Sequence, residues 1–306
     1  MTRIWRCGSH RLPLGGRPLV MGVLNITPDS FSDGSRWLDP DRAVERALQM
    51  VDEGADIIDV GGESTRPGAP PVDPETERER ILPVITRLAP ILPVPLSVDT
   101  TKVAVAAAAL DAGASIINDI SGFTFEPDMA SCAARTGCGV VLMHTRGTPQ
   151  TMQMDTRYDD LVGEVVSRLG DSVSHAIERG VSPDSIVVDP GIGFGKDWRG
   201  NLEILRRLPE IVRRLPYPLM VGTSRKSFIG AVTGRGVGDR LFGTAATVAL
   251  AVQGGASVVR VHDVREMRDV ADMAAAISGR WIPEGEIGGF GAEKQRSPSD
   301  EKGNAQ

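Results

Sequence analysis

Short apolar runs recur along the chain, and each gives way at once to small and polar residues. The runs are Leu19–Leu24, Asp56–Val60, Pro95–Val98, Ser115–Ile117, Gly139–Met143, Ser185–Val188, Pro218–Val221 and Ser257–Val261. Aliphatic and β-branched residues without polar alternation predict strands covered on both faces, the pattern of a parallel sheet. Between the runs the period changes. Residues 41–52 put Ala43, Val44, Ala47, Leu48 and Val51 on one helical face, with Asp39 as N-cap and Pro40 at the first helical position. Glu75–Leu92, Lys102–Asp111, Asp128–Thr136, Tyr158–Arg179, Asn201–Arg214, Gly243–Gln253 and Val264–Ser278 predict the other helices. A phrase repeats where helices hand over to strands: Gly54-Ala55-Asp56, Gly113-Ala114-Ser115 and Gly255-Ala256-Ser257. In each, a glycine ends the helix in the left-handed conformation and the next strand starts at once.

Strand–helix units repeated eight times over residues 19–279 predict an α/β fold, a single-domain (βα)8 TIM barrel. No G-x-G-x-x-G follows the first strand, which disfavours a dinucleotide-binding open sheet. Residues 1–18 read as a short cap over the barrel's bottom and 19–282 as the barrel. Residues 283–306, rich in Gly, Glu, Lys, Ser and Gln, read as a disordered and functionally silent tail.

Length alone, 306 residues, would allow two domains. The repeat makes one barrel the better reading. A net charge of −6 argues against a nucleic-acid binder. Aromatics are only 4%, so the core is aliphatic. Cys7, Cys132 and Cys138 form no C-x-x-C and are odd in number, which excludes a disulfide framework or a structural zinc and fits small buried hydrophobes in a reducing cytosol. No apolar stretch is long enough for a signal peptide or a membrane span, so a cytoplasmic protein is expected.

In such barrels chemistry sits at the C-terminal ends of the strands. The sequence delivers polar groups there in turn: Asn25 after the first strand, Glu63 to Arg66 after the second, then Asp99, Asn118, His144, Asp189, Arg225 with Lys226, and Arg260 with His262. Asp99, Asn118 and Asp189 on neighbouring strand ends suit hydrogen bonds to a flat ring bearing amide and amino groups, although each alone could as well cap a helix. Arg225, Lys226, Arg260 and His262 form a cationic arc in the sector where barrels bind phosphate. Arg260 and His262 lie two apart on a strand and face the same way. Gly191-x-Gly193-x-Gly195-Lys196 lacks the spacing of a Walker A loop and reads as a tight turn that leaves room for a flat ligand beside Phe194. The two long first loops, rich in Gly, Pro, Ser and Thr, read as lids.

With these residues in place, the chain resembles the dihydropteroate synthases, folate-pathway enzymes of the pterin-binding barrel group. The phrases that carry the resemblance run in order from residue 19 to about 279. They are Gly22 to Gly34 (GVLNITPDSFSDG), Asp59 to Gly68 (DVGGESTRPG), Ser97 to Thr100, Ile117 to Gly122, Asp189 to Lys196, Gly222 to Phe228 and Arg260 to Asp263. The resemblance implies condensation of 6-hydroxymethyl-7,8-dihydropterin diphosphate with 4-aminobenzoate, giving 7,8-dihydropteroate and diphosphate by an SN1-like displacement. It implies a pterin site of Asp99, Asn118, Met143, Asp189, Phe194, Gly222 and Lys226. Asn25, Thr65, Arg260 and His262 would meet the diphosphate, Asn25 through Mg²⁺. Phe31, Thr65, Arg66, Pro67, Lys226 and Ser227 would meet 4-aminobenzoate, where sulfonamides should compete. Asp33, Asp99, Lys226, Arg260 and His262 are the groups it places at the reaction. A homodimer is expected on the same ground.

Phe242 departs from the family pattern, standing where a polar residue is expected, in a helix at the expected subunit interface. A methyltetrahydrofolate-dependent methyltransferase would share the pterin pocket without needing Arg260 and His262. A Schiff-base aldolase would use Lys226, which lies several residues past its strand beside Arg225. A non-catalytic pterin-binding paralogue should have lost part of the Arg66, Lys226 and His262 set, which is intact.

Overall fold

The computed structural model describes residues 3–27 and 39–283. The chain enters as an antiparallel hairpin, β1 (Arg3–Cys7) and β2 (His10–Leu14). Eight parallel strands follow: β3 (Leu19–Asn25), β4 (Ile57–Gly61), β5 (Leu96–Asp99), β6 (Ile116–Asp119), β7 (Gly139–Met143), β8 (Ile186–Asp189), β9 (Met220–Val221) and β10 (Val258–Val261). Their order is β8-β7-β6-β5-β4-β3-β10-β9. A parallel bridge between Val188 and Leu219 joins the two ends and closes the ring. The fold is the expected (βα)8 barrel.

Around it run α1 (Pro40–Asp52), α2 (Pro74–Leu88), α3 (Val103–Asp111), α4 (Asp128–Thr136), α5 (Leu161–Glu178), α6 (Trp198–Arg206), α7 (Leu208–Arg214), α8 (Ser227–Thr233), α9 (Leu241–Gln253) and α10 (Val264–Ile277). Asp39 caps α1 as expected, its carboxylate accepting from the Asp41 N–H at 2.9 Å. Gly54, Gly113 and Gly255 have φ of 99°, 112° and 106°, so the repeated phrase is a left-handed helix exit used three times.

Three expectations change. The helix expected over Asn201–Arg214 is two helices, α6 and α7, parted at Arg207. Pro209 has no N–H to continue the ladder, and its ring crowds the carbonyl four residues back. The helix expected to reach Leu92 ends at Leu88, two residues before Pro90. The short helix α8, directly after the Ser-Arg-Lys phrase, was not expected at all, being only seven residues long.

Strand alternation divides the apolar side chains between two cores. Outward residues such as Val20, Ile58, Val98, Ile117, Leu142, Val188 and Val259 pack against the helices. Inward residues Leu19, Met21, Ile57, Ile116, Val141, Val187, Met220 and Val258 fill the lower barrel and meet Trp5, Cys7 and Leu14 of the hairpin. The Trp5 indole N–H donates to the Ser185 carbonyl at 2.8 Å, pinning this plug. The cap expected over the bottom is therefore a stopper packed into the barrel. All three cysteines are free and buried. Among the described residues no helix is long and apolar enough to cross a membrane. The tail expected from residue 283 lies, apart from Pro283, outside the described residues.

Candidate active site

One further inward step along the same strands, the barrel interior changes character. Ile57 is followed inward by Asp59, Ser97 by Asp99, Ile116 by Asn118, Val187 by Asp189 and Val258 by Arg260. Register sets Asp99 beside Asn118 and Met143 beside Asp189. All of these except Arg260 are buried.

Arg260 is the hub. Its Nε donates to Asp59 Oδ2 and its Nη2 to Asp99 Oδ2, each at 2.6 Å. Asn118 Nδ2 donates to the same Asp59 oxygen at 3.0 Å, which fixes the orientation of the amide and leaves its carbonyl oxygen for other donors. Asp59 Oδ1 is buried without a partner among the described residues. Burial pushes the Asp99 carboxyl up, to about 7, against the pull of Arg260. Asp59 was assigned no role from the sequence. The signal was available: a carboxylate inside an apolar strand must find a partner or cost several kcal/mol, roughly, by desolvation. What the sequence could not supply was the partner, 201 residues away.

Asp189 and Lys226 form the other side. Asp189 Oδ1 accepts from the Gly191 N–H at 2.6 Å, and burial pushes its carboxyl up while Lys226 opposes the shift. Lys226 Nζ donates to the Ile192 carbonyl and lies 4.6 Å from the centroid of the Phe194 ring. Burial brings the Lys226 ammonium down to about 8, with Asp189 pulling it back. Met143, Asp189, Phe194, Gly222 and Lys226 thus come together around the upper barrel, the expected slot for a flat ring. Gly191 is required here: at φ 71°, a Cβ would lie 1.8 Å from the His144 carbonyl oxygen.

At the mouth, His262 Nδ1 lies 3.0 Å from Ser224 Oγ. Burial first, then Arg260 and Arg225, push its imidazole down to about 3. It is neutral at pH 7. The cationic arc is narrower than expected, because Arg225 is bound to the carboxylate of Asp263, with Nε to Oδ2 at 3.0 Å. Lys226 and Arg260 remain as cations, Arg260 shared with Asp59 and Asp99, while His262 is a neutral N–H donor with Arg66 close enough to act on it.

Thr65 is half-buried and Arg66, Pro67 and Ser227 are exposed at the same rim. The segment that carries Thr65, Arg66 and Pro67 is anchored from below. Lys102 binds both Glu63 and the fully buried Glu77, Glu63 Oε1 accepts from the Val72 N–H at 3.0 Å, and Arg80 donates to the Gly62 carbonyl at 2.7 Å. Glu63, which sits in a motif suggestive of chemistry, is a loop anchor. The Gly68 N–H donates to Pro149 O at 2.9 Å, tying this loop to the one after β7. Phe31 and Asp33 lie outside the described residues.

Among the described residues no cluster of three His, Cys, Asp or Glu could hold a metal. Asn25 closes β3 at this rim, and its oxygen lies 3.9 Å from where a Cβ on Gly61 would stand. A single neutral oxygen donor suits only an ion that takes most of its ligands from water and substrate, as Mg²⁺ does with phosphates.

The assembled groups are hydrogen-bond partners for a planar heterocycle below and cationic or N–H donors for a polyanion above, with no nucleophile–base pair. This is a site that positions two reactants and stabilises charge. The sequence profile described as "Pterin binding enzyme" matches residues 21–262, and the chain belongs to that family. The dihydropteroate synthase of Synechocystis is 49% identical over 271 residues, 88% of this chain and 93% of that protein. The Xanthomonas albilineans dihydropteroate synthase solved with 4-aminobenzoic acid superposes with a TM-score of 0.85 at 40% identity, covering 92% of this chain and 100% of the other. The Yersinia pestis dihydropteroate synthase in a sulfonamide drug complex gives 0.84 at 39%, over 90% and 99% of the two chains. Within the family the chain therefore falls among the dihydropteroate synthases, which are transferases.

Proposed function

We propose that this site joins 6-hydroxymethyl-7,8-dihydropterin diphosphate to 4-aminobenzoate. The observation that carries the reading is the hydrogen-bonded polar network of Asp59, Asp99, Asn118 and Arg260 facing Asp189 and Lys226 across one slot. Asp99, Asn118 and Asp189 pair with the amino and amide edge of the pterin, with Met143, Phe194 and Gly222 lining its faces. Lys226 holds the ring from the side of Phe194. Asn25, Thr65, Arg260 and His262 face the diphosphate. Thr65, Arg66, Pro67, Lys226 and Ser227, with Phe31, border the aminobenzoate, where sulfonamides compete. Asp33 belongs to the first loop of the same set.

In the reaction the bond between the pterin methylene and the diphosphate oxygen breaks, and the electron pair leaves with the diphosphate. The cation left on the methylene is delocalised into the ring and faces the Asp99 carboxylate. The arylamine nitrogen then attacks the methylene, a C–N bond forms and the nitrogen gives up its proton to the released diphosphate or to water. Asn25, with the diphosphate oxygens and water, would hold Mg²⁺, which supplies charge neutralisation on the leaving group. Positioning and electrostatics carry the rate, and no residue is assigned as a general base.

Phe242, Leu250, Met273 and Ile277 expose large apolar surface on the adjacent helices α9 and α10, which supports a homodimer through this face. Three free, buried cysteines support a reducing, cytoplasmic setting.

The test is to mix the protein with the pterin diphosphate, labelled 4-aminobenzoate and Mg²⁺. Labelled dihydropteroate is expected, and none from a folded sample overturns the reading. His262→Ala should weaken binding of the pterin diphosphate far more than of the bare pterin; equal losses contradict the diphosphate assignment.

A further inference from the structure

The loop between β8 and α6 holds its shape through side chains. Its five carbonyls from Gly191 to Gly195 all accept hydrogen bonds from side chains. Gly191 O and Phe194 O accept from Lys196 Nζ at 3.0 and 2.8 Å, and Ile192 O from Lys226. Gly193 O accepts from Gln153 Nε2 at 3.3 Å and Gly195 O from the Tyr158 hydroxyl at 2.7 Å. Lys196 alone takes two of the five, and its third partner is His144 Nδ1 at 2.9 Å. A lysine ammonium has three N–H donors and all three are used. Lys196 and His144 are each 2% exposed.

We propose that Lys196 is a positioning residue for the reaction. Seated on His144 and on the Gly191 and Phe194 carbonyls, it sets the loop so that Ile192 O receives Lys226 and the Phe194 ring lies against the same ammonium. The inference rests on the reading of Lys226 and Phe194 as pterin contacts. Lys196 itself hydrogen-bonds the two carbonyls and His144.

Burial pushes His144 down to about 2, so its ring is neutral; accepting from Lys196 at Nδ1 leaves its proton on Nε2, which is buried without a partner among the described residues. Burial brings the Lys196 ammonium down to about 7, with Asp189 and Glu164 favouring its charge and Lys226 and Arg146 opposing it, so the three-donor form is complete only below that value. The ordering is steep in space. Gly191 has room for no Cβ beside His144 O, and a Cβ on Gly193 would stand 2.9 Å from Lys226 Cδ. The loop is therefore packed directly against Lys226.

The experiment compares wild type, Lys196→Met, His144→Leu and Lys226→Ala for binding of bare pterin, for steady-state kinetics with both substrates, and for the His144 ¹⁵N imidazole shifts. Lys196→Met is expected to fold, to bind pterin about 10- to 100-fold more weakly, and to raise KM for the pterin diphosphate while KM for 4-aminobenzoate moves less than about threefold. The His144 shifts should leave the single Nε2–H tautomer of wild type for a mixture. A folded Lys196→Met that binds pterin as wild type does overturns the inference alone. A wild type that binds no pterin overturns the functional reading and this inference with it. Should Lys196→Met not accumulate, His144→Leu decides, with a weaker loss of about three- to tenfold expected and unchanged pterin binding overturning the proposal.

Discussion

The two ends of the barrel interior are built from the same strands, one inward residue apart, and they obey opposite rules. At the bottom, Met21, Ile57, Ile116, Val141, Val187, Met220 and Val258 close on Trp5, Cys7 and Leu14 with apolar contact. At the top, Asp59, Asp99, Asp189 and Arg260 hold charge in a buried space beside the Asn118 amide, and Asp59 keeps one carboxylate oxygen without a partner among the described residues. The lower layer is selected by volume and stabilises the fold. The upper layer is selected by charge and leaves polar capacity open for a ligand. A move of two residues along a strand separates stability from chemistry, which is how one scaffold carries both.

The contrast breaks most visibly at Arg260. Arg260→Met strips the counter-charge from two buried carboxylates and should cost about 3–5 kcal/mol of stability in urea unfolding, besides abolishing turnover. The double variant Asp59→Asn/Arg260→Met should recover stability and not activity; recovery of activity would show that the hub is structural only. At the other end, Trp5→Ala should cost a comparable amount, about 3–5 kcal/mol, with kcat unchanged wherever the protein remains folded. A change in kcat there would deny the separation of the two layers.

A paired test on β8 is finer. Val187→Ala should lose about 2 kcal/mol and leave kcat/KM alone. Asp189→Asn, two residues on, should lose pterin affinity.

A further test concerns pH. His262 has a folded value of about 3, below its ordinary 6.5. Above pH 6.5 the imidazole is neutral in folded and unfolded chains alike and its contribution to stability is complete. As pH falls from 6.5 towards 3 the unfolded chain takes up a proton that the folded chain refuses, so stability declines. His262→Gln should shallow that decline in denaturant midpoints measured across this range. An identical pH profile would mean that His262 is open to solvent. An arriving diphosphate reverses the local field, so its binding should be accompanied by proton uptake, visible as a buffer-dependent calorimetric heat.

Much of this was legible in the sequence. The helix α4 and the strand β7 run from the first to the last residue expected of them, because both are short, strongly patterned and ended by local signals, such as Gly137 in the left-handed conformation after α4. The rim residues Asp99, Asn118, Asp189, Lys226, Arg260 and His262 followed from one topological rule: polar groups at strand ends share a face. The break at Arg207 was missed because the apolar period continues through it; the backbone chemistry of Pro209 overrides the side-chain pattern. Arg225 was counted as a free cation because its partner, Asp263, is 38 residues away.

The sequence by itself determined the repeat, the closure into a barrel and the set of side chains at one rim. Each depends on periodicity and on which residue types sit at strand ends, and these are local. Only the tertiary structure decided which charges neutralise one another. Arg260 lies between Asp59 and Asp99, Lys196 is satisfied on a loop and on His144, and His262 is held neutral. The reason is physical. Burial sets the cost of a charge and distance sets its compensation, and both are properties of the folded ring, where residues remote in the chain become neighbours.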